Sequence, residues 1–253
     1  MMSGITGAAA VGALHGEAEA QGNSGGDVYE LRTYHLETEA QRDGLDAFLA
    51  EAAIPALNRM GVKPVGVFHT VDEISPVYVL MRHASMASVG AVTATLGNDE
   101  EFLSKGAAFL DAPAKSPAYT RMESAILKAF DGMPKIERPV TNDGRVFQLR
   151  IYESPSVKTG QKKIEMFNTA EIDIFRKTGL TPVLFGEAIA GVKMPNLTYM
   201  LSFESIEAQK AAWSTFVNSP EWKELSALPE YANDKILCGI TNILLKPAAC
   251  SQL

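Results

Sequence analysis

A long internal repeat limits the folds open to this 253-residue chain more than any other feature of its sequence. Val28-Tyr-Glu-Leu-Arg-Thr-Tyr34 returns as Val146-Phe-Gln-Leu-Arg-Ile-Tyr152, at an offset of 118 residues. The same offset carries Gly61 onto Gly179 and Pro64 onto Pro182. Farther along, Val77–Met81 corresponds to Leu197–Leu201, Asn98–Phe102 to Asn218–Trp222 and Ile126-Leu127 to Ile243-Leu244. Landmarks kept in one order, with drift only where loops fall, mark a duplication whose period is far longer than that of a solenoid. Phe130 to Arg145, with its prolines, glycines and mixed charges, reads as the linker. The chain then divides into a leader (1–26), a first repeat (27–129), the linker (130–145), a second repeat (146–247) and a tail (248–253).

Alternation and β-forming residues predict strands at 28–35, 65–70, 77–82 and 119–127 in the first repeat. A helix is expected over 38–60, with Leu45, Phe48, Leu49, Ala52 and Leu57 near one face and Gly61 as its C-cap. A second helical region over 85–110 should break near Gly97-Asn98. The second repeat gives strands at 146–153, 183–188, 197–203 and 237–245, a helix over 160–177, and a helical region from Ser205 that resumes at Pro220. The order β-α-β-β-α-β is the ferredoxin-like unit. The fold class is therefore α+β, built from tandem ferredoxin-like repeats. Each unit covers one face of its sheet with helices, so two copies pack their remaining faces together or close into a barrel.

The first strand of each repeat has one apolar and one polar face. Tyr29, Leu31 and Thr33, with Phe147, Leu149 and Ile151, should pack on the helices. Glu30, Arg32 and Tyr34, with Gln148, Arg150 and Tyr152, should then point into the shared interior. A buried arginine needs a partner, water or an anionic ligand. Two readings stay open: Arg32 pairs with Glu30 or Glu123 and fixes the packing, or the row lines a polar cavity for a small anionic or aromatic ligand. His69 aligns with Glu187, so the two halves need not be equivalent; as candidate acid–base groups, His69, Tyr34 and Tyr152 stand out. His35, on the opposite face from Arg32 and near a strand end, is set aside. Trp213, Phe216 and Trp222 fit core packing better than a pocket.

Composition excludes some classes. The net charge of −7, without a basic cluster, speaks against a nucleic-acid partner. No apolar run reaches the length of a membrane span. Neither the four histidines nor Cys238 and Cys250 show metal-ligand spacing, and the cysteines read as a buried thiol and a frayed tail thiol. Residues 4–14 resemble a weak signal core, and Ala18-Glu19-Ala20 gives an A-x-A pattern. With no Lys or Arg before Arg32, this suits a twin-arginine-type export signal whose start lies upstream, and a periplasmic or other extracytoplasmic protein. The alternative is a low-complexity N-terminus in a cytoplasmic protein.

The Tyr29-Glu-Leu-Arg-Thr-Tyr34 opening, the Trp213-x-x-Phe-Val-Asn-Ser-Pro-Glu-Trp222 segment and the duplication together resemble the NIPSNAP family, from Val28 to about Lys246. Phe102 stands in the first copy where the second has Trp222, so the first copy has drifted more. The resemblance implies a dimeric α/β-barrel, here formed within one chain, and no established chemistry or cofactor. No Cys-x5-Arg loop or Asp-x-Asp acceptor supports a phosphatase. Three functions follow as expectations: a small-ligand binder whose site lies between the repeats, at Glu30, Arg32, Tyr34, Gln148, Arg150, Tyr152 and Glu187; a cofactor-independent monooxygenase or isomerase; or a non-catalytic interaction module, with homo-oligomers open in each case.

Overall fold

The structure, a computed structural model, describes residues 25–253. The proposed export signal lies almost entirely outside these residues. The first repeat runs β1 (Val28–His35), α1 (Glu39–Phe48), a π-helical turn (Leu49–Ala53), α2 (Ile54–Arg59), β2 (Val65–Thr70), β3 (Val77–His83), α3 (Met86–Leu96), α4 (Glu100–Leu110) and β4 (Arg121–Ala129). The second runs β5 (Val146–Glu153), α5 (Val157–Met166), a π-helical turn (Phe167–Glu171), α6 (Ile172–Lys177), β6 (Thr181–Ala190), β7 (Asn196–Phe203), α7 (Ile206–Asn218), α8 (Pro220–Ser226), a 3-10 turn (Pro229–Tyr231), α9 (Asn233–Ile236) and β8 (Gly239–Pro247).

Local chemistry explains the boundaries. Thr38 and Gln41 form a reciprocal capping box at α1. Ser85, Asp99, Ser156, Ser205 and Ser219 each offer a side-chain oxygen to a first-turn N–H. Gly61 and Gly179 leave the helices at φ +77° and +85°, where a side chain would be strained. The π-helical turns recur at the repeat offset, so this widening of the helix was duplicated with the fold. Such turns are frequent at functional sites.

The eight strands close into one antiparallel barrel in the order β1-β3-β2-β8-β5-β7-β6-β4. Each repeat contributes four strands, and the seams are β2 with β8 and β4 with β6. β1 and β5 run the same way, so the two repeats are related about the barrel axis. One barrel end is framed by the hairpin connections β2–β3 and β6–β7. The other end receives the linker and residues 248–253. There Glu137 N–H donates to Val183 O at 2.9 Å, and Gln252 N–H donates to Val65 O at 2.9 Å, on strand positions that match between repeats. Ile136 and Leu253 both pack into the interior cluster, Leu253 only 5% exposed. Arg145 donates to Leu253 O at 2.8 Å. Residues 248–253, expected as a loose tail, thus form part of the barrel floor. Cys250 is half-buried against the first repeat's core, and Cys238, expected inside, is exposed.

The face assignment of the first strands is inverted. Tyr29, Leu31, Phe147 and Leu149 join Phe68, Tyr78, Leu80, Leu127, Met200 and Leu245 in the barrel interior. Tyr34 and Tyr152 belong instead to the two clusters between wall and helices. Glu30, Arg32, Gln148 and Arg150 alternate with the interior residues and so face the helices. The physical reason is that this wall is covered on both sides. Its inner face takes the more apolar row, whereas the helix layer leaves a margin where polar groups such as Glu30 and Arg32 find partners. Most of the space between the repeats is therefore packed with apolar side chains, and a polar cavity lined by these six residues does not exist there.

Candidate functional site

In the first repeat, α1, the π-helical turn and α2 cross the outer face of β1 and β3, and α3 and α4 close over them. The layers do not meet fully. They leave a cavity of about 380 Å³ lined by Arg32, Tyr34 and Val79 from the sheet, Phe48, Leu49, Ala53 and Leu57 from the first helices, Thr93 and Leu96 from α3, Phe102 and Phe109 from α4, and Tyr119 ahead of β4. The volume is that of a small-molecule site, and the lining is mostly apolar with a few polar groups at one wall. Phe48 and Phe109 stack with ring centroids 4.2 Å apart, and Tyr34 meets Tyr119 edge-on at 5.3 Å.

Arg32 is the charged group at this wall. Its Nε donates to Glu30 Oε1 at 2.6 Å, and Ser124 Oγ donates to the same oxygen at 3.0 Å. His83, fully buried, has its Nε2 3.6 Å from Glu30 Oε2 and its Nδ1 3.1 Å from Ser88 Oγ. Burial raises the Glu30 carboxyl, but His83, Arg32 and Ser124 outweigh it and hold the group down at about 2. Glu30 is thus a fixed anion that aims Arg32, whose guanidinium sits with Tyr34 at the cavity wall. Burial raises the Tyr34 phenol against the pull of Arg32, so it stays protonated and can donate. The expected pairing of Arg32 with Glu30 is present; Glu123 lies on the other face.

The second repeat carries the same frame with the space filled. Position by position, Leu49 becomes Phe167, Ala53 becomes Glu171, Leu57 becomes Phe175, Val79 becomes Tyr199 and Thr93 becomes Trp213. Every exchange adds volume. Trp213 Nε1 donates to Gln148 Oε1 at 2.5 Å, and its ring lies under Arg150 with the guanidinium carbon 4.6 Å from the centroid. Tyr152 and Tyr199 share a hydrogen bond at 2.9 Å. Gln148 replaces Glu30, and Arg150 Nε is left buried without a hydrogen-bond partner. Behind it, Lys163 donates to Glu171 Oε2 at 2.7 Å, both fully buried, with Phe167, Tyr152 and Trp222 around the ammonium. Burial pushes the Glu171 carboxyl up against the pull of Lys163.

The candidate residues therefore separate. Arg32 and Tyr34 line the first cavity, with Glu30 behind them. Gln148, Arg150 and Tyr152 belong to the filled second repeat. His69 Nε2 lies 3.0 Å from Asp46 Oδ1 and does not line the cavity. Glu187 accepts from Gln161 on the outer surface. His69, Tyr34 and Tyr152 are not brought together around one space. Trp213 is, as expected, a core residue. Missed from sequence were Ala53, Val79 and Thr93, whose small size makes the cavity. A position-by-position comparison of the two helical layers would have exposed them.

The family model described as NIPSNAP matches residues 147–252. No curated protein matches the chain in sequence. Among solved structures, the chain resembles a candidate monooxygenase from Lactobacillus acidophilus NCFM (TM-score 0.57, 12% identity, 88% of this chain and 94% of that one). It also resembles a candidate monooxygenase from Fusobacterium nucleatum subsp. nucleatum (TM-score 0.58, 8% identity, 88% and 93%). An anthrone oxidase-like protein aligns with TM-score 0.54 and 9% identity over 89% and 93% of the two chains. Identities this low speak for the fold alone, and all three alignments run through both repeats. The second repeat is a NIPSNAP domain.

Proposed function

We propose that this protein binds a small, mainly apolar or aromatic molecule with an anionic or oxygen-bearing end in the first-repeat cavity, while the second repeat is its packed, non-binding counterpart. The observation that carries this reading is the contrast between Thr93 and Trp213, one leaving a cavity beside Arg32 and the other filling it beside Arg150. Arg32 and Tyr34 offer donors at the polar wall, and Phe48, Phe109 and Tyr119 offer faces for an aromatic body. The first repeat is, in this reading, a diverged NIPSNAP copy.

Thermal-shift titration with aryl carboxylates and their neutral amides tests the proposal. The acids should raise Tm more than the amides, and a Glu30→Gln/Arg32→Met double variant, which removes both partners together, should erase the difference. An undiminished preference for the acids in that variant would refute the Arg32 anchor. Of the monooxygenase and isomerase alternatives, the descriptions of the fold neighbours favour the first. It lacks an assembled acid–base set, and dioxygen uptake with a bound phenolic ligand would revive it. An interaction module or homo-oligomer would have to use the outer surface, since one chain already supplies all eight strands. No helix among the described residues is long and apolar enough to cross a membrane. Export stays part of the proposal, resting on the pattern ahead of Gln21.

A further inference from the structure

The barrel interior is packed along most of its length, but its hairpin end opens into a second cavity of about 240 Å³. Its first-repeat wall is a cross-strand row. Thr33 on β1 is directly opposite Glu123 on β4 and Tyr78 on β3, all three pointing inward. His35 stands one step above Thr33 on the same face. Directly opposed side chains lie close enough to act on one ligand.

These groups are under-satisfied. Tyr78, 8% exposed, lines the cavity, and its hydroxyl makes no hydrogen bond to another side chain or backbone group among the described residues. His35 Nε2 is buried without a hydrogen bond. The Glu123 carboxylate has only loose neighbours, His35 Nε2 at 3.5 Å and the exposed Arg121 at 3.8 Å. Burial, with Glu123 and Glu73 nearby, pushes the Tyr78 phenol up to about 12. The charged groups acting on this ring are thus carboxylates, Glu123 and Glu73.

The second repeat shows what such a row accepts. Lys193, on the β6–β7 hairpin, places its ammonium 2.9 Å from Thr241 Oγ1 and 3.4 Å from Glu153 Oε1. Thr241 is the counterpart of Glu123, and Glu153 that of His35. Lys193 holds a left-handed backbone (φ 58°), with its carbonyl accepting from Asn196 Nδ2 at 3.3 Å. The matching hairpin of the first repeat, residues 71–76, contains neither Lys nor Arg. One half of the mouth thus carries its own ammonium, and the other half presents a carboxylate, a phenol and a threonine without one.

We propose that the first-repeat half of the barrel mouth binds a small organic ammonium ion, held by Glu123 and the Tyr78 and Thr33 hydroxyls. The cavity is below the roughly 300 Å³ of ordinary ligand pockets, so the ligand is a short amine. A metal ion fits less well, because His35 and Glu123 are joined by no third ligating side chain among the described residues. The site shares no residue with the Arg32 cavity and stands or falls separately from it.

Isothermal titration at low ionic strength with n-butylammonium, butyrate and butan-1-ol tests the inference. Only the ammonium should bind saturably. Glu123→Gln should weaken it about tenfold, as expected for losing a charge-assisted bond. A Thr33→Val/Tyr78→Phe variant should weaken it less, and Arg121→Ala, which removes a competing cation, should strengthen it. Arg32→Met should change nothing. Absence of saturable binding, butyrate binding as well as the ammonium, or ammonium binding unchanged in both the Glu123 and the Thr33/Tyr78 variants would each overturn the proposal.

Discussion

Thr93 and Trp213 occupy one position in the two repeats, equally far past Ser85 and Ser205, the serines that cap α3 and α7. The first borders a cavity and the second lies beneath Arg150. Both lie eight residues past the capping serine, so the exchange sets a small side chain against the largest one at the same place on the helix. Thr93→Trp should therefore close the first cavity and abolish ligand-induced thermal shifts while leaving a cooperative melt. The reverse change, Trp213→Thr, should cost about 3 kcal/mol by leaving a void beside Arg150, read from urea unfolding.

The buried Lys163–Glu171 pair gives a second test. The equivalent residues of the first repeat are Leu45 and Ala53, both buried without charge. Removing one partner alone, as in Lys163→Leu or Glu171→Ala, should destabilise the protein by about 3–5 kcal/mol, because an unpaired charge is left in the core. Making both changes should recover most of that loss. A double-mutant cycle in urea checks this, and equal costs for the double and single variants would show that the pair is not coupled.

Acid should act through Glu30. Its carboxyl titrates at about 2 in the folded protein, against an ordinary value of 4.5. A folded-state value lowered in this way means that the contribution is fully present above about pH 4.5 and is lost as pH falls through 2. It amounts to about 3 kcal/mol. Glu30→Gln, which installs the residue that the second repeat has at Gln148, should lower stability at neutral pH and flatten the acid limb. Urea midpoints measured between pH 7 and 2 would show it.

The barrel floor should respond to its two stoppers. Leu253→Ala should cost about 3 kcal/mol, since a fully packed leucine leaves a cavity behind. Ile136→Ala should cost less, because that side chain is only partly buried. Chemical denaturation of the two variants measures both.

Much of the architecture was legible because strand alternation and helix punctuation are local. β1, β2 and β5 begin and end where the alternation of Val28–His35, Val65–Thr70 and Val146–Glu153 predicts. The direction of each face was not legible. Alternation separates Leu31 from Arg32, but in a wall buried on both sides it does not say which of them points inward. The polar row was therefore assigned to the interior when its partners, His83 and Ser124, lie on the helix side. The same inversion set aside His35, which in fact faces the barrel mouth. The cavity itself depends on what Ala53, Val79 and Thr93 lack, and absent volume leaves no mark in a single strand or helix pattern.

The linker has a consequence beyond joining two halves. In a barrel assembled from two identical chains, any substitution appears twice, so a cavity cannot be opened on one side and packed on the other. Covalent fusion removes that constraint. Residues 130–145 allow one copy to keep a cavity open and its twin to pack it, each free to change without altering the other.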